Sequence, residues 1–146
     1  MLYVICGSIR SSLEDMRDLE LQMTQRGNLV LFPVPIPVED NDPFADAMHL
    51  YRIEWAGAMG GEILIVPKMD GTIGVSTSRE MEFAKLLGLV VRILIPATID
   101  PENAARLLER QAELDGLAHS KTHHQVKAMM ETLLAELREE IQHGSN

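Results

Sequence analysis

Short apolar runs alternate along the chain with stretches whose apolar residues recur at helical spacing. The runs are rich in the β-branched and other aliphatic residues that favour strands, and each is followed by a glycine or a proline. We therefore predict strands over residues 2–6, 29–32, 62–66 and 89–95. The last run is apolar at nearly every position, which is typical of a strand covered on both faces and favours a parallel sheet.

Four amphipathic stretches separate and follow these strands. The first opens with Ser11 and Glu14 at the spacing of a capping box and ends at Gly27. The second and fourth open with an Asp-Pro pair, in which the aspartate caps the helix and the proline takes its first position. We predict helices over residues 11–27, 43–59 and 101–116, and between the last two a helix that contains the run 81–87 and has Glu80 in its first turn. On the second and fourth helices, the positions predicted to face the core are Ala45, Met48, Ile53, Ala56, Ala104, Leu107, Leu108 and Ala112.

The alternation of strands and helices predicts an α/β fold with a doubly wound parallel sheet of four to five strands. Parallel neighbours need crossover connections, and these are right-handed. In the flavodoxin-like strand order 2-1-3-4, the switch point falls between the first and third strands. The loops that follow these two strands, residues 7–10 and 70–77, would then flank one crevice at the carboxyl edge of the sheet.

A fifth amphipathic stretch, residues 122–142, follows the α/β repeat. Its apolar residues are spaced four, three, four and four positions apart, which predicts a helix with one apolar stripe. The stripe consists of Val126, Met130, Leu133, Leu137 and Ile141. We therefore divide the chain into an α/β domain, residues 1–116, and a C-terminal helical segment, residues 117–146. Two interpretations of this helix are open, packing on the sheet and self-association as a dimer or larger homo-oligomer.

A proline-rich segment follows the second strand. Pro33, Pro35 and Pro37 prevent continued strand pairing and predict an extended loop through Asn41. This loop is either a lid over a ligand site or a stiff connector at the rim of the domain.

Composition and charge narrow the function classes. The 146 residues are 46% hydrophobic and 24% charged, as in an ordinary soluble globular domain. With 13 Lys and Arg against 22 Asp and Glu, the net charge is -9, which disfavours a nucleic-acid polymer as partner. A start without a signal-peptide pattern, a single cysteine, and no apolar run of 18 residues indicate a cytoplasmic protein that does not bind or cross a membrane.

Neither a metal nor a cofactor is predicted from the composition. His119, His123 and His124 lie near Asp115, but no third ligand has matching spacing. Cys6 lies in an apolar strand, where a cysteine is normally an inert core residue.

The stretch from Asp70 to Glu80 carries the strongest chemical signal. Glycines and hydroxyl residues lie between a predicted strand and a predicted helix, so backbone amides can gather at a helix N-terminus and bind an anion. Gly7, Ser8 and Arg10 form the partner loop, in which the guanidinium offers a fork of donors to a phosphate or carboxylate.

Two acids are candidates for catalysis at this crevice. Glu80 has the position of a nucleophile or general base, although Thr77 and Glu80 also have the spacing of a capping box. Glu54 is a possible second acid, since paired carboxylates can divide acid and nucleophile roles, or it lies on a solvated helix face. His49 and Arg52 are either ligand contacts or exposed helical residues.

Two motifs resemble known families. The motif Ile5-Cys6-Gly7-Ser8-Ile9-Arg10 resembles the amino-terminal motif of the 2′-deoxynucleoside 5′-phosphate N-hydrolases. Residues 71–77, with Glu80, Ala84, Gly88 and Val91, resemble the glycine-loop and glutamate motif of the nucleoside 2-deoxyribosyltransferase superfamily, its small bacterial and phage relatives above all. The similarity covers about residues 2–95.

The resemblance implies a flavodoxin-like domain that acts on a nucleoside or nucleoside 5′-monophosphate without a cofactor. Glu80 matches the family's catalytic glutamate, which attacks the anomeric carbon and releases the base, and Glu54 is the acid nearest to its upstream aspartate. The substrate-binding residues implied are Gly7, Ser8, Ile9 and Arg10 for the sugar-phosphate, with Gly71, Gly74, Ser76 and Thr77 in the loop that holds the 5′ end. Dimers or larger assemblies are common in the family. The alternative is a nucleotide-binding sensor or regulatory protein without turnover.

Overall fold

The computed structural model describes residues 1–32 and 43–116, together with Thr132, Ala135, Glu136 and Glu139. The elements in chain order are β1 (Leu2–Gly7), α1 (Ile9–Gln25), β2 (Leu29–Leu31), α2 (Pro43–Ala58), β3 (Glu62–Val66), α3 (Val75–Leu86), β4 (Val90–Ile93) and α4 (Pro101–Gly116). The four isolated residues are helical. The predicted proline-rich loop and the rest of the predicted helix over 122–142 lie outside the described residues.

The four strands form one parallel sheet in the order β2-β1-β3-β4. Val4 pairs with Ile63, and Ile63 pairs with Val91, so the central strands β1 and β3 lie side by side in register. This arrangement confirms the predicted flavodoxin-like α/β fold, with four strands in the described ranges. It also places the switch point between β1 and β3.

Two apolar layers cover the sheet. The larger joins one face of β1, β3 and β4 to α2, α3 and α4, and its most buried large side chains include Ile53, Met81, Phe83 and Leu114. The smaller joins the other face to α1 through Ile5, Met16 and Val66. Helices therefore lie on both faces, as a doubly wound fold requires. Within the described ranges, no helix has the length and apolarity that crossing a bilayer needs.

The helix boundaries differ from the predictions at two N-termini. Ser8, rather than Ser11, caps α1, because the Ser8 hydroxyl accepts a hydrogen bond from the amide of Ser11 at 3.2 Å. Helix α3 begins at Val75, six residues before the predicted apolar run. The predicted cap of α4 is confirmed, since an Asp100 carboxylate oxygen accepts the amide of Asn103 at 3.0 Å.

Some positions predicted to face the core are exposed. Met48, Leu108 and Ala112 lie on the solvent side of their helices, whereas His49 and Leu114 are buried. A single-position error on α2 has this effect because neighbouring residues of a helix point about 100° apart.

Strand β4 is an edge strand, and the prediction that it is covered on both faces is wrong for the described part of the chain. Val90 and Arg92 are exposed, while Val91 and Ile93 are buried. Backbone groups on the outer edge of β4 are hydrogen-bonded to a side chain of α4. The Gln111 amide accepts from the amide of Ile93 at 2.6 Å and donates to the carbonyl of Val91 at 2.9 Å. Gln111 thus takes the place of a further strand along this part of the edge.

Candidate functional site

The loops that follow β1 and β3 meet at the carboxyl edge of the sheet, as predicted. Gly7 pairs with Val66 in register, and the Ser12 hydroxyl donates to the carbonyl of Pro67 at 3.2 Å. Ser12 is buried, so this bond ties the start of α1 to the end of β3. The switch-point edge is therefore a closely packed junction between the two loops.

Gly7 faces neighbouring protein atoms. A Cβ at Gly7 would lie 2.8 Å from the carbonyl oxygen of Val66 and 3.0 Å from Sδ of Met16. The absence of a side chain at this position therefore lets β1, β3 and α1 approach one another. This close packing explains the glycine without a ligand.

The loop after β3 is held by its own hydrogen bonds. The amide of Lys68 donates to the carbonyl of Thr72 at 3.0 Å, and the amide of Gly71 donates to the carbonyl of Lys68 at 2.8 Å. One carboxylate oxygen of Asp70 accepts both the amide and the hydroxyl of Thr72, and these bonds lower the pKa of Asp70. Asp70 and Thr72 thus shape the loop.

Gly71 has a φ of +81°, and a Cβ there would lie 2.6 Å from Cδ1 of Ile99 and 2.9 Å from Cβ of Asn103. We expect Gly71→Ala to lower the free energy of unfolding by about 2 kcal/mol, through left-handed backbone strain and overpacking. Gly27 is the matched control, because its φ is +85° and nothing lies within 4 Å of its Cβ position. Chemical denaturation should show a loss of about 1 kcal/mol for Gly27→Ala. Equal losses in the two variants would contradict the packing role of Gly71.

The N-terminus of α3 has features of an anion site. Its N-cap is Gly74, which has no side chain to bond the first amides of the helix. The Nζ atom of Lys68 lies 3.8 Å from the Cβ position of Gly74, so an ammonium group accompanies these amides. Lys68 was not among the predicted site residues. Its signal in the sequence is a cation two residues after the end of a buried strand.

Glu80 lies in the second turn of α3, and its side chain is buried, with 6% of the residue exposed. The first turn contains no acidic residue, so the prediction of Glu80 in the first turn is wrong. The capping-box interpretation of Thr77 and Glu80 is also wrong, because Gly74 is the N-cap. Helix capping therefore does not account for this buried acid.

Glu80 belongs to a buried cluster with Cys6 and His49. One ligand-type atom from each of the three residues lies within 4.8 Å of the other two. The Sγ atom of Cys6 lies 3.2 Å from Nε2 of His49, and the thiol is also hydrogen-bonded to Glu80. The three residues come from β1, α2 and α3, so the cluster lies where two helices meet the switch-point strand.

The tautomer of His49 follows from its neighbours. Its Nε2 atom lies 3.0 Å from the carbonyl oxygen of Ile5, which can only accept, so Nε2 carries the proton and donates. The Nδ1 atom is then unprotonated and carries a lone pair, and it has no hydrogen-bond partner among the described residues. The single Nε2 proton is therefore shared between the carbonyl of Ile5 and the sulfur of Cys6, and the Cys6 thiol donates to Glu80.

Burial sets the protonation of this cluster. Desolvation and the nearby Glu80 carboxylate raise the pKa of the Cys6 thiol well above its usual range. Burial, followed by the charge of Arg52, lowers the pKa of His49 to about 4, while the bond to Ile5 opposes that shift. At neutral pH the thiol and the imidazole are both uncharged.

The other predicted site residues do not belong to this cluster in the described part of the chain. Thr77 is buried and Ser76 half-buried in the first turn of α3. Ile9 and Arg10 belong to the first turn of α1, and their side chains are outside the described part of the structure. Glu54 is half-buried on α2 and is not part of the Cys6 cluster. The predicted core position of Cys6 is confirmed, but its polar neighbours were not foreseen.

Comparison with models of protein families, with curated proteins and with solved structures finds no match to this chain.

Proposed function

We propose that this chain cleaves or transfers the N-glycosidic bond of a nucleoside or nucleoside 5′-monophosphate, with Glu80 as the nucleophile. The observation that carries the proposal is the position of Glu80, a buried acid beside the switch-point strand with no capping role. Ligands of open parallel sheets bind at the carboxyl ends of the strands, and Glu80 contacts Cys6 next to that end of β1. The sequence resemblance to nucleoside 2-deoxyribosyltransferases supplies the reaction class.

In the proposed reaction, a carboxylate oxygen of Glu80 attacks the anomeric carbon as the bond from that carbon to the base breaks. The base leaves with the electron pair of that bond and takes up a proton, for which Glu54 is the proposed donor. Water or a second base then attacks the same carbon as the bond from that carbon to Glu80 breaks, which regenerates the Glu80 carboxylate. The proton lost by the attacking group returns to Glu54. The Cys6 thiol donates to Glu80 and orients it for the attack.

The α3 N-terminus is the proposed site of the 5′-phosphate. The amides that follow Gly74 and the ammonium group of Lys68 offer it hydrogen bonds and positive charge. A local cationic site is needed, since the chain as a whole carries a net charge of -9. Gly74, Ser76 and Thr77 would hold this end of the substrate.

A nucleotide-binding protein without turnover is the second candidate. The observation that favours it is the burial of Glu80, because a nucleophile with 6% exposure must gain access to its substrate. In this case the loop and the α3 N-terminus bind the phosphate. The protein then acts as a sensor that responds to whether nucleotide is bound.

Incubation with a panel of nucleosides and 5′-monophosphates separates these functions. The proposed enzyme releases free base, which chromatography detects. If no base appears while nucleotides still raise the melting temperature, the binding function is supported instead. If neither occurs across the panel, the proposed ligand class is wrong.

A further inference from the structure

We propose that Cys6, His49 and Glu80 form a binding site for a divalent transition-metal ion of the zinc type. Their donor atoms are a sulfur, an imidazole nitrogen and a carboxylate oxygen, all within 4.8 Å of one another. This combination of three protein ligands with a fourth position left for another donor is typical of zinc sites with exchangeable ligands. The site was not predicted from the sequence, where Cys6 is an apolar-strand residue.

The distances between the donors require little movement. Ordinary zinc bond lengths place a sulfur and a nitrogen about 3.5 Å apart around a tetrahedral ion. The distance from Cys6 Sγ to His49 Nε2 is 3.2 Å, so these atoms already have nearly the separation that an ion between them needs. Because the three ligands lie on β1, α2 and α3, each is held by a packed element rather than by a surface loop.

Protons and charge can balance at this site. Binding through sulfur releases the thiol proton to solvent, and binding through Nε2 requires the ring proton to move to Nδ1. Nδ1 has no hydrogen-bond partner among the described residues, so the move disrupts no bond at that atom, although it gives up the bond to Ile5. A thiolate and a carboxylate then neutralise the dication, which leaves no net charge in a buried place.

The donor set also selects among ions. Mg²⁺ and Ca²⁺ prefer sites built from oxygen ligands, whereas thiolate and imidazole suit Zn²⁺ and its first-row neighbours. Cys6, His49 and Glu80 are all buried, so an ion must enter through a local opening of the packed helices. We therefore expect slow loading of the folded protein and fast loading during refolding.

Glu80 cannot be a metal ligand and a nucleophile at the same time, because a carboxylate bound to a metal is not available to attack carbon. Bound Zn²⁺ is therefore expected to inhibit base release. This consequence rests on the proposed function, whereas metal binding itself does not.

Cobalt substitution tests the site directly, since Cys6 is the only cysteine of the chain. We expect full-length protein refolded with one equivalent of Co²⁺ to show a thiolate-to-cobalt absorption band, and Zn²⁺ to displace it. In Cys6→Ser the band should be lost and the affinity for Zn²⁺ lowered by about 100-fold or more. Mg²⁺ should neither displace the cobalt nor raise the melting temperature.

Three further variants test the specificity of the result. His49→Gln and Glu80→Gln should each weaken Co²⁺ binding, and a band that keeps its affinity in both would mean binding by the thiol alone and overturn the proposal. Replacing His119, His123 and His124 with glutamine removes the other histidine cluster and should leave the band unchanged. Loss of binding in this triple variant, or no band in the wild-type protein, would also overturn the proposal, whether or not base release is found.

Discussion

Glu80→Gln is expected to reduce base release by about 10³-fold or more, which corresponds to a barrier increase of about 4 kcal/mol. Glutamine nearly preserves the shape of the side chain and still accepts the hydrogen bond from Cys6. Glutamine lacks the anionic oxygen that attacks the anomeric carbon and stabilises positive charge on that carbon. The measurement is the initial rate of base release on the best substrate of the panel, with the folded state of the variant checked by thermal unfolding.

Glu82→Gln is the matched control for this experiment. Glu82 lies two residues away on the same helix, and it is exposed and 3.7 Å from Arg110. An exposed ion pair contributes little to stability, about 0.5 kcal/mol, so this variant should retain wild-type activity. If Glu80→Gln releases base as fast as Glu82→Gln, Glu80 is not the nucleophile.

Protein kept free of metal by a chelator is expected to lose stability as the pH falls below about 6.5, because of His49. In the unfolded chain His49 takes up a proton near pH 6.5, whereas in the folded protein burial lowers its pKa to about 4. Between these values the unfolded state binds more protons, so acid favours unfolding. The loss approaches about 3 kcal/mol near pH 4 and changes little above pH 7.

His49→Gln isolates this contribution. Denaturant unfolding of both proteins between pH 4 and pH 8 should give a difference in unfolding free energy that shrinks or reverses towards low pH. Cys6, Glu80 and Arg52 surround the imidazole in both proteins, and their own titration contributes to both curves. A pH-independent difference would show that His49 binds a proton equally well in the folded and unfolded states.

Most of the fold followed from the hydrophobic pattern. The bounds of β3, residues 62–66, were predicted correctly, because residues 63–66 form an unbroken apolar run that ends beside a proline. The alternation of strands and helices predicted a parallel sheet, and the flavodoxin-like strand order considered for that sheet is confirmed. The start of α3 did not follow from the pattern, since β-branched and hydroxyl residues at its beginning are weak helix formers. Packing on the sheet extends that helix beyond its local preference.

The sequence predicts less of the site than of the fold. Cys6, His49 and Glu80 lie on three elements and far apart in the chain, so no local motif joins them. One signal was present, since His49 precedes Ile53 by four residues and Ala56 by seven, which is the spacing of one helix face. The prediction assigned that face to Met48 because methionine is apolar. The polar His49, which is in register with the apolar residues of α2, indicates the buried face of the helix better than Met48 does.

Gln111 also has a consequence for how these molecules behave at high concentration. An exposed parallel edge offers unpaired amides and carbonyls to any extended segment, and such edges promote aggregation. On β4 the amide of Ile93 and the carbonyl of Val91 are already paired with Gln111, and its Nε2 donates to Asp115 as well, which fixes the orientation of the side-chain amide. At these two positions a β-strand from a second molecule would have to displace Gln111 before it could pair.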